Sequence, residues 1–278
     1  MNVYRMRSGW VVAVCLALAG PVSAQDLDGF LPARGEGAAA LSFASEGYDE
    51  FWAGEQKVRN PGVGSVDVES WSLWGRYGLT DRLSLAGNVA YVNADSDGMG
   101  GFAESDLQDL WLLAQYRLAE SQRGNGRSRW VGALGVRTPL SDYEANLPVD
   151  VGDGTTDVLL RLVWQWKQGA FHFAQQVGYD LRSEDAPDQF PLYTQVGYRV
   201  GRVTWIGYLQ WLLASSGTDI GDPGFTFPSN EEEYQRLGLR AYAELSDAWG
   251  LTVGGFTTLD GRNTGDASGF FVGGVVGF

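Results

Sequence analysis

The chain has 278 residues, among them 34 acidic and 20 basic side chains, 11 Trp, 12 Tyr, 13 Phe, one histidine and one cysteine. A formal charge of −14 without any basic run repels nucleic acid, so no such partner is expected. A single histidine and a single cysteine cannot assemble an imidazole or thiolate metal cluster, and no cofactor is expected.

Residues 1–24 read as a secretory signal peptide: Arg5 and Arg7 are its positive start, Trp10 to Gly20 its apolar stretch, and Val22-Ser23-Ala24 its small-residue cleavage site. Cys15 lies inside that signal, so the exported part is free of thiols. Removal takes two arginines and no acids, which leaves a mature charge of about −16. No later segment offers the roughly 18 to 20 apolar residues of a spanning helix, so a membrane crossing has to use strands. Residues 25–36 are expected as a periplasmic N-terminal segment, either a disordered tail or, through Arg34 and Glu36, in contact with a lumen.

From residue 37 the dominant signal has period two. Leu83, Leu85, Gly87, Val89 and Tyr91 fall on one face, with Ser84, Ala86, Asn88 and Ala90 on the other. Leu110, Leu112, Ala114, Tyr116 and Leu118 oppose Asp109, Trp111, Leu113, Gln115 and Arg117. Val158, Leu160, Leu162, Trp164 and Trp166 oppose Asp157, Leu159, Arg161, Val163 and Gln165. One apolar face ending in aromatic residues and one polar face is what a strand needs between hydrocarbon and a wet interior.

Strands are predicted at 37–48, 66–79, 83–93, 107–118, 130–139, 156–166, 171–182, 191–200, 203–212, 234–245, 250–259 and 268–278, an even twelve. The connections alternate: tight ones at 80–82, 167–170, 201–202 and 246–249, long ones at 94–106, 140–155 and 213–233. That alternation matches periplasmic turns and extracellular loops. Two exceptions stand out, a long fourth-to-fifth connection at 119–129 and Gln175 on an otherwise apolar face.

In the last segment Phe270, Val272, Gly274, Val276 and the terminal Phe278 share one face. Such an end resembles the recognition signal read by the barrel-assembly machinery, and closure into a ring removes its sticky edge. The fold expected is therefore all-β, an antiparallel up-and-down transmembrane barrel over residues 37–278 of the bacterial outer membrane, in contact with lipid and lipopolysaccharide. A soluble β-sandwich is the competing fold, and it leaves the signal, the aromatic ends and the loop alternation unexplained.

Four stretches carry a family resemblance: Leu31-Pro32-Ala33-Arg34-Gly35-Glu36-Gly37; Asp109-Leu110 through Tyr116-Arg117-Leu118; Gly135-Val136-Arg137-Thr138-Pro139-Leu140; and Gly152-Asp153-Gly154-Thr155-Thr156-Asp157. With them the chain resembles the transporter-like outer-membrane proteins of the MetA-pathway phenol-degradation family. Where that family often has Pro-Thr-Gly, this chain has Pro139-Leu140-Ser141. The resemblance implies a barrel that moves small, aromatic compounds, and it assigns no binding residue.

The inward faces are predicted to carry Arg76, Arg117, Arg137, Arg161, Arg182, Arg199, Arg236 and Arg240 against Asp109, Asp157, Asp180 and Glu244, a net-positive lumen. Two readings stay open: a lining that favours anionic small solutes, or charges that pair across strands and fill a closed interior. The corresponding functions are a channel or transporter-like barrel and a non-conducting structural or surface-binding barrel. Catalysis is not expected. The twelve-stranded outer-membrane phospholipase A family uses a histidine with a serine two residues on, whereas here His172 is followed two residues later by Ala174. Asp95, Asp97 and Glu104 beside Gly98, Gly100 and Gly101, and Glu231-Glu232-Glu233, are acidic loop clusters, read as solvated or as weak calcium ligands.

Overall fold

The computed structural model describes residues 27–278 except 60–61, 146–148, 150 and 185; the signal peptide expected at 1–24 lies outside the described residues. The described chain is all-β: β1 (Gly37–Tyr48), β2 (Phe51–Ala53), β3 (Gln56–Val58), β4 (Val66–Gly78), β5 (Leu83–Ser96), β6 (Ala103–Leu107), β7 (Leu110–Arg123), β8 (Gly126–Thr138), β9 (Asp157–Gln168), β10 (Phe171–Leu181), β11 (Gln189–Val200), β12 (Val203–Ala214), β13 (Glu233–Glu244), β14 (Trp249–Arg262) and β15 (Ser268–Gly277). Twelve of these pair antiparallel with their sequence neighbours around a ring. The ring closes where β1 meets β15, in register from Ala38 opposite Gly277 to Gly47 opposite Ser268. The short strands β2, β3 and β6 belong to the long loops, where the period-two pattern is too brief to read.

Closure explains the apolar C-terminus. The terminal residue is stapled to the first strand by Gly37 N donating to Phe278 O (2.8 Å) and Phe278 N donating to Gly37 O (3.0 Å). No backbone edge is left there to pair with another chain.

Side chains alternate about the wall as the sequence predicts. On β9, Leu160 is 42% exposed while its neighbour Leu159 is fully buried, and the same contrast separates Tyr116 from Gln115 and Phe270 from Phe271. The exposed series is the lipid-facing surface, since so much contiguous apolar area on a soluble monomer would drive aggregation. Aromatic contacts mark both borders of that surface. At the turn end Trp130 meets Trp164 (6.4 Å) and Trp164 meets Phe173 (5.4 Å); at the loop end Tyr179 meets Phe190 (4.9 Å), while Phe43 meets Trp71 (5.3 Å) midway along β1 and β4.

The two sequence exceptions resolve differently. The fourth-to-fifth connection is not long: β7 runs on to Arg123, Gly124-Asn125 form a two-residue turn with Gly124 at φ 60°, and β8 begins at Gly126. A bulge between Arg117 and Ala119 shifts the alternation by one residue, so a strand with charged ends looks like a loop. Gln175 does face outward, but Thr194 Oγ1 donates to its Oε1 (2.6 Å) and its Nε2 donates to Tyr193 O (3.2 Å). Its polar atoms are thus satisfied beside the lipid.

The facing assignment has a direct test. An arginine at Leu162, which lies on the lipid side between the Tyr179 row and the Trp164 row, is expected to lower the unfolding free energy in lipid vesicles by about 2–4 kcal/mol, read from denaturant titration.

Candidate functional site: the barrel lumen

Two segments outside the ring enter its interior. The first is the N-terminal one. The expectation of a periplasmic segment over residues 25–36 fails for its described part: Leu27 and Asp28 are buried inside the barrel, while Arg34 and Glu36 stay at its turn end. Leu27 N donates to Gln176 Oε1 (2.8 Å), and Gln165 Nε2 donates to Asp28 O (2.8 Å). Arg76 on β4 grips the segment twice, with Nη1 at 3.1 Å from Asp28 Oδ1 and 2.6 Å from Phe30 O. Phe30 stands edge-on to His172 (5.9 Å), with Lys167 Nζ 5.6 Å from its ring centre. Gly29 has φ 73°, and a Cβ there would lie 3.0 Å from Gln165 Cβ, so both backbone and space require glycine.

The second is the β8–β9 loop, through its described residues around Tyr143, Val149 and Val151. Val149 and Val151 are buried against Val63, Val66, Ala90, Val92 and Ala94 on the inner wall. Tyr143 donates its hydroxyl to Asp109 and accepts from Gly154 N (3.0 Å), and Gln108 Nε2 donates to Val151 O (2.8 Å).

The structure brings together six of the twelve residues predicted to line the lumen. Arg137 meets its cross-strand partner Asp157 (Nε to Oδ2, 2.7 Å), Asp153 (3.6 Å) and Asp109 (3.9 Å); Arg182 meets Asp153 (2.7 Å) and Asp157 (3.7 Å); Arg161 pairs with Asp180 (Nη2 to Oδ2, 3.1 Å). This is a network of three arginines and four aspartates in the extracellular half, which buried charges require in order to be tolerated. Arg76 lies apart with Asp28. Arg117, paired with Glu120 (3.0 Å), and Arg199, paired with Glu244 (2.6 Å), sit at the turn-end rim, partly exposed, and not in the central lumen.

Arg236 and Arg240 are buried on β13 without a carboxylate within 4 Å among the described residues. Arg236 lies over the rings of Tyr234 (4.4 Å) and Phe256 (5.1 Å), and Arg240 donates to Gln195 Oε1 (3.1 Å). The expected net-positive lumen is therefore corrected. Asp28, Asp153, Glu46 and Glu232, which the strand pattern was not read to supply, join Asp109, Asp157, Asp180 and Glu244 and so match the eight arginines in number. Glu46 was accessible to that pattern, since it follows Ala38, Ala40, Ser42 and Ala44 on the inward face of β1. Asp153 and Glu232 come from loops and Asp28 from the N-terminal segment, where no period exists.

His172 is buried with its ring over Gly197, where a Cβ would lie 1.8 Å from the imidazole. Ala174, two residues on, is fully buried and has no hydroxyl. The acidic loop clusters are engaged locally: Asp97 Oδ1 accepts from Ser65 N (2.7 Å) and Glu104 Oε1 from Glu144 N (2.7 Å).

A closed, antiparallel, twelve-stranded ring with an apolar outside and a polar inside defines the outer-membrane β-barrel class. The chain belongs to the family described as "Putative MetA-pathway of phenol degradation", which matches residues 56–272. Among solved structures, an outer membrane channel from Pseudomonas putida F1 is similar over 90% of this chain and 98% of its own, at 16% identity and a TM-score of 0.73. The NanC porin aligns over 84% of this chain and 98% of its own (10% identity, TM-score 0.49). The translocator domain of the autotransporter NalP from Neisseria meningitidis aligns over 89% of each chain (11% identity, TM-score 0.47). No curated protein matches the sequence. The protein is a twelve-stranded outer-membrane β-barrel.

Burial pushes the Asp109 carboxyl up to about 6, although the Tyr143 hydroxyl and Arg137 pull the other way. For an acid raised in the folded state, the cost of its ionisation is present at neutral pH and is relieved as pH falls through about 6. The bond that Tyr143 donates is charge-assisted only above that pH, and charge-assisted bonds are roughly twice as strong as neutral ones. Hydrogen exchange at the Gly154 amide, corrected for its intrinsic pH dependence, is expected to quicken two- to five-fold between pH 7 and 5, an order-of-magnitude figure from that halving. Asp109→Asn is expected to flatten the step.

Proposed function

We propose that this barrel is a channel for small solutes, anionic and aromatic ones among them, and not an enzyme. The observation that carries the reading is where the obstruction comes from. The segment 27–31 and the β8–β9 loop occupy the lumen, whereas the ladder that forms the wall does not depend on either. A barrel built only as a rigid body is filled by the side chains of its own strands. Here the described filling comes largely from two pieces that are not part of the ladder, so a passage requires both to shift.

The anion preference is supported by Arg240, whose guanidinium meets Gln195 and has no carboxylate within 4 Å among the described residues, and by Arg76, whose described counter-ion is Asp28 on the N-terminal segment and not on the wall. A buried guanidinium without a carboxylate is a strong electrostatic site for a passing anion. The non-enzymatic part is supported by the surroundings of His172, where Ala174 offers no nucleophile to activate. Lipid and lipopolysaccharide are proposed partners of the apolar belt, and the barrel-assembly machinery of the segment ending in Phe278.

Planar-bilayer recording is the test. The full-length mature chain is expected to give small, infrequent openings, and deletion of residues 25–31 larger and steadier ones, with reversal potentials in a salt gradient that favour anions. Silence from both proteins would assign the barrel to the non-conducting structural or surface-binding class, and cation preference would remove the anion part alone.

A further inference from the structure

The N-terminal segment is held by the chemistry that would hold a small aromatic acid. Its carboxylate, Asp28, meets Arg76 at 3.1 Å; its ring, Phe30, meets the edge of His172 at 5.9 Å beneath the Lys167 ammonium; Gln165 donates to the Asp28 carbonyl and Gln176 accepts from the Leu27 amide just before it, both at 2.8 Å. All of these holding groups are on the wall, on β4, β9 and β10, and all but Lys167 are buried. Asp28 is itself 2% exposed, and its Oδ2 has no hydrogen-bond partner. A mere plug for an apolar gap has no need of a buried carboxylate, because burying that charge is costly unless the receiving site is built for an anion.

We propose that Arg76, Gln165, Gln176 and His172 form a binding site for aromatic carboxylates, and that Asp28 and Phe30 occupy it as a built-in stand-in for the solute. The inference rests on the channel reading and names the class of solute for which that reading leaves room. Arg76 takes the carboxylate, the glutamines take polar substituents, and the ring replaces Phe30 against His172. The segment and the solute then exclude each other, so entry of an aromatic acid from either side dislodges the obstruction that closes the turn end.

The test uses 3-phenylpropanoate and its neutral amide, titrated by calorimetry into the full-length mature protein and its variants in detergent, each first shown to be folded by its thermal melt. Asp28→Asn weakens the stand-in without touching the wall, and Gly29→Ala displaces it by backbone strain while keeping the carboxylate. Both variants are expected to bind the acid at least tenfold more tightly than the parent. In the Asp28→Asn background, Arg76→Gln is expected to abolish binding and Arg76→Lys to weaken it; the lysine variant decides if the glutamine variant does not fold. The amide is expected not to bind. Equal affinity of parent and Asp28→Asn, equal affinity with and without Arg76, or equal binding of acid and amide would each overturn the proposal. Because binding is read without any current, an acid that binds through Arg76 to a barrel that never conducts would sink the channel reading and leave the site standing.

Discussion

In hydrocarbon a peptide group has no water to turn to, so every N–H and C=O must be paired within the protein. The described residues hold no long apolar helix, so they meet that demand by closing a sheet on itself, where β1 pairs with β15. The other features of the wall follow. Once the ring is shut, period-two alternation has only two destinations, lipid and lumen, and each strand sorts its residues between them. The tight turns on one side and the long loops on the other give the ring its two ends.

The lumen obeys a different constraint. Its charges lie where a low dielectric makes an unpaired ion expensive, so arginines attract carboxylates from wherever the chain can supply them. Asp153 shows this clearly: burial pushes its carboxyl up, yet Arg182 and Arg137 hold it below its ordinary range. The loop that carries Asp153 is drawn into the barrel by that pairing together with the burial of Val149 and Val151. The N-terminal segment is drawn in by Arg76. Electrostatics of the wall thus selects which non-strand pieces fill it.

That division also explains how much of the structure was legible in the sequence. All twelve strands of the wall were readable, and their facing wherever no bulge intervenes, because alternation such as that at Leu159, Leu160, Arg161 and Leu162 is enforced by two contrasting solvents. The β7–β8 hairpin was misread past Arg117 because one bulged residue reverses the phase of everything after it. The inward fold of Leu27 and Asp28 left no local signal: their partners Gln176 and Gln165 lie 149 and 137 residues away, and ten residues without periodicity carry no facing information. The lumen arginines were found, but their charge balance was not, since the compensating aspartates at 28 and 153 lie outside the strands.

The central claim is that neighbouring side chains on each wall strand see lipid and lumen by turns. With the only cysteine at position 15, single cysteines can be placed one at a time from residue 158 to 166 on β9 and reacted with a water-soluble thiol reagent and with a lipid-phase one. The account predicts that even positions react from the lipid phase and odd positions do not, with the pattern unbroken through Leu160, Arg161 and Leu162. Equal reaction of adjacent positions from either phase, or a repeat nearer to four residues than two, would contradict it.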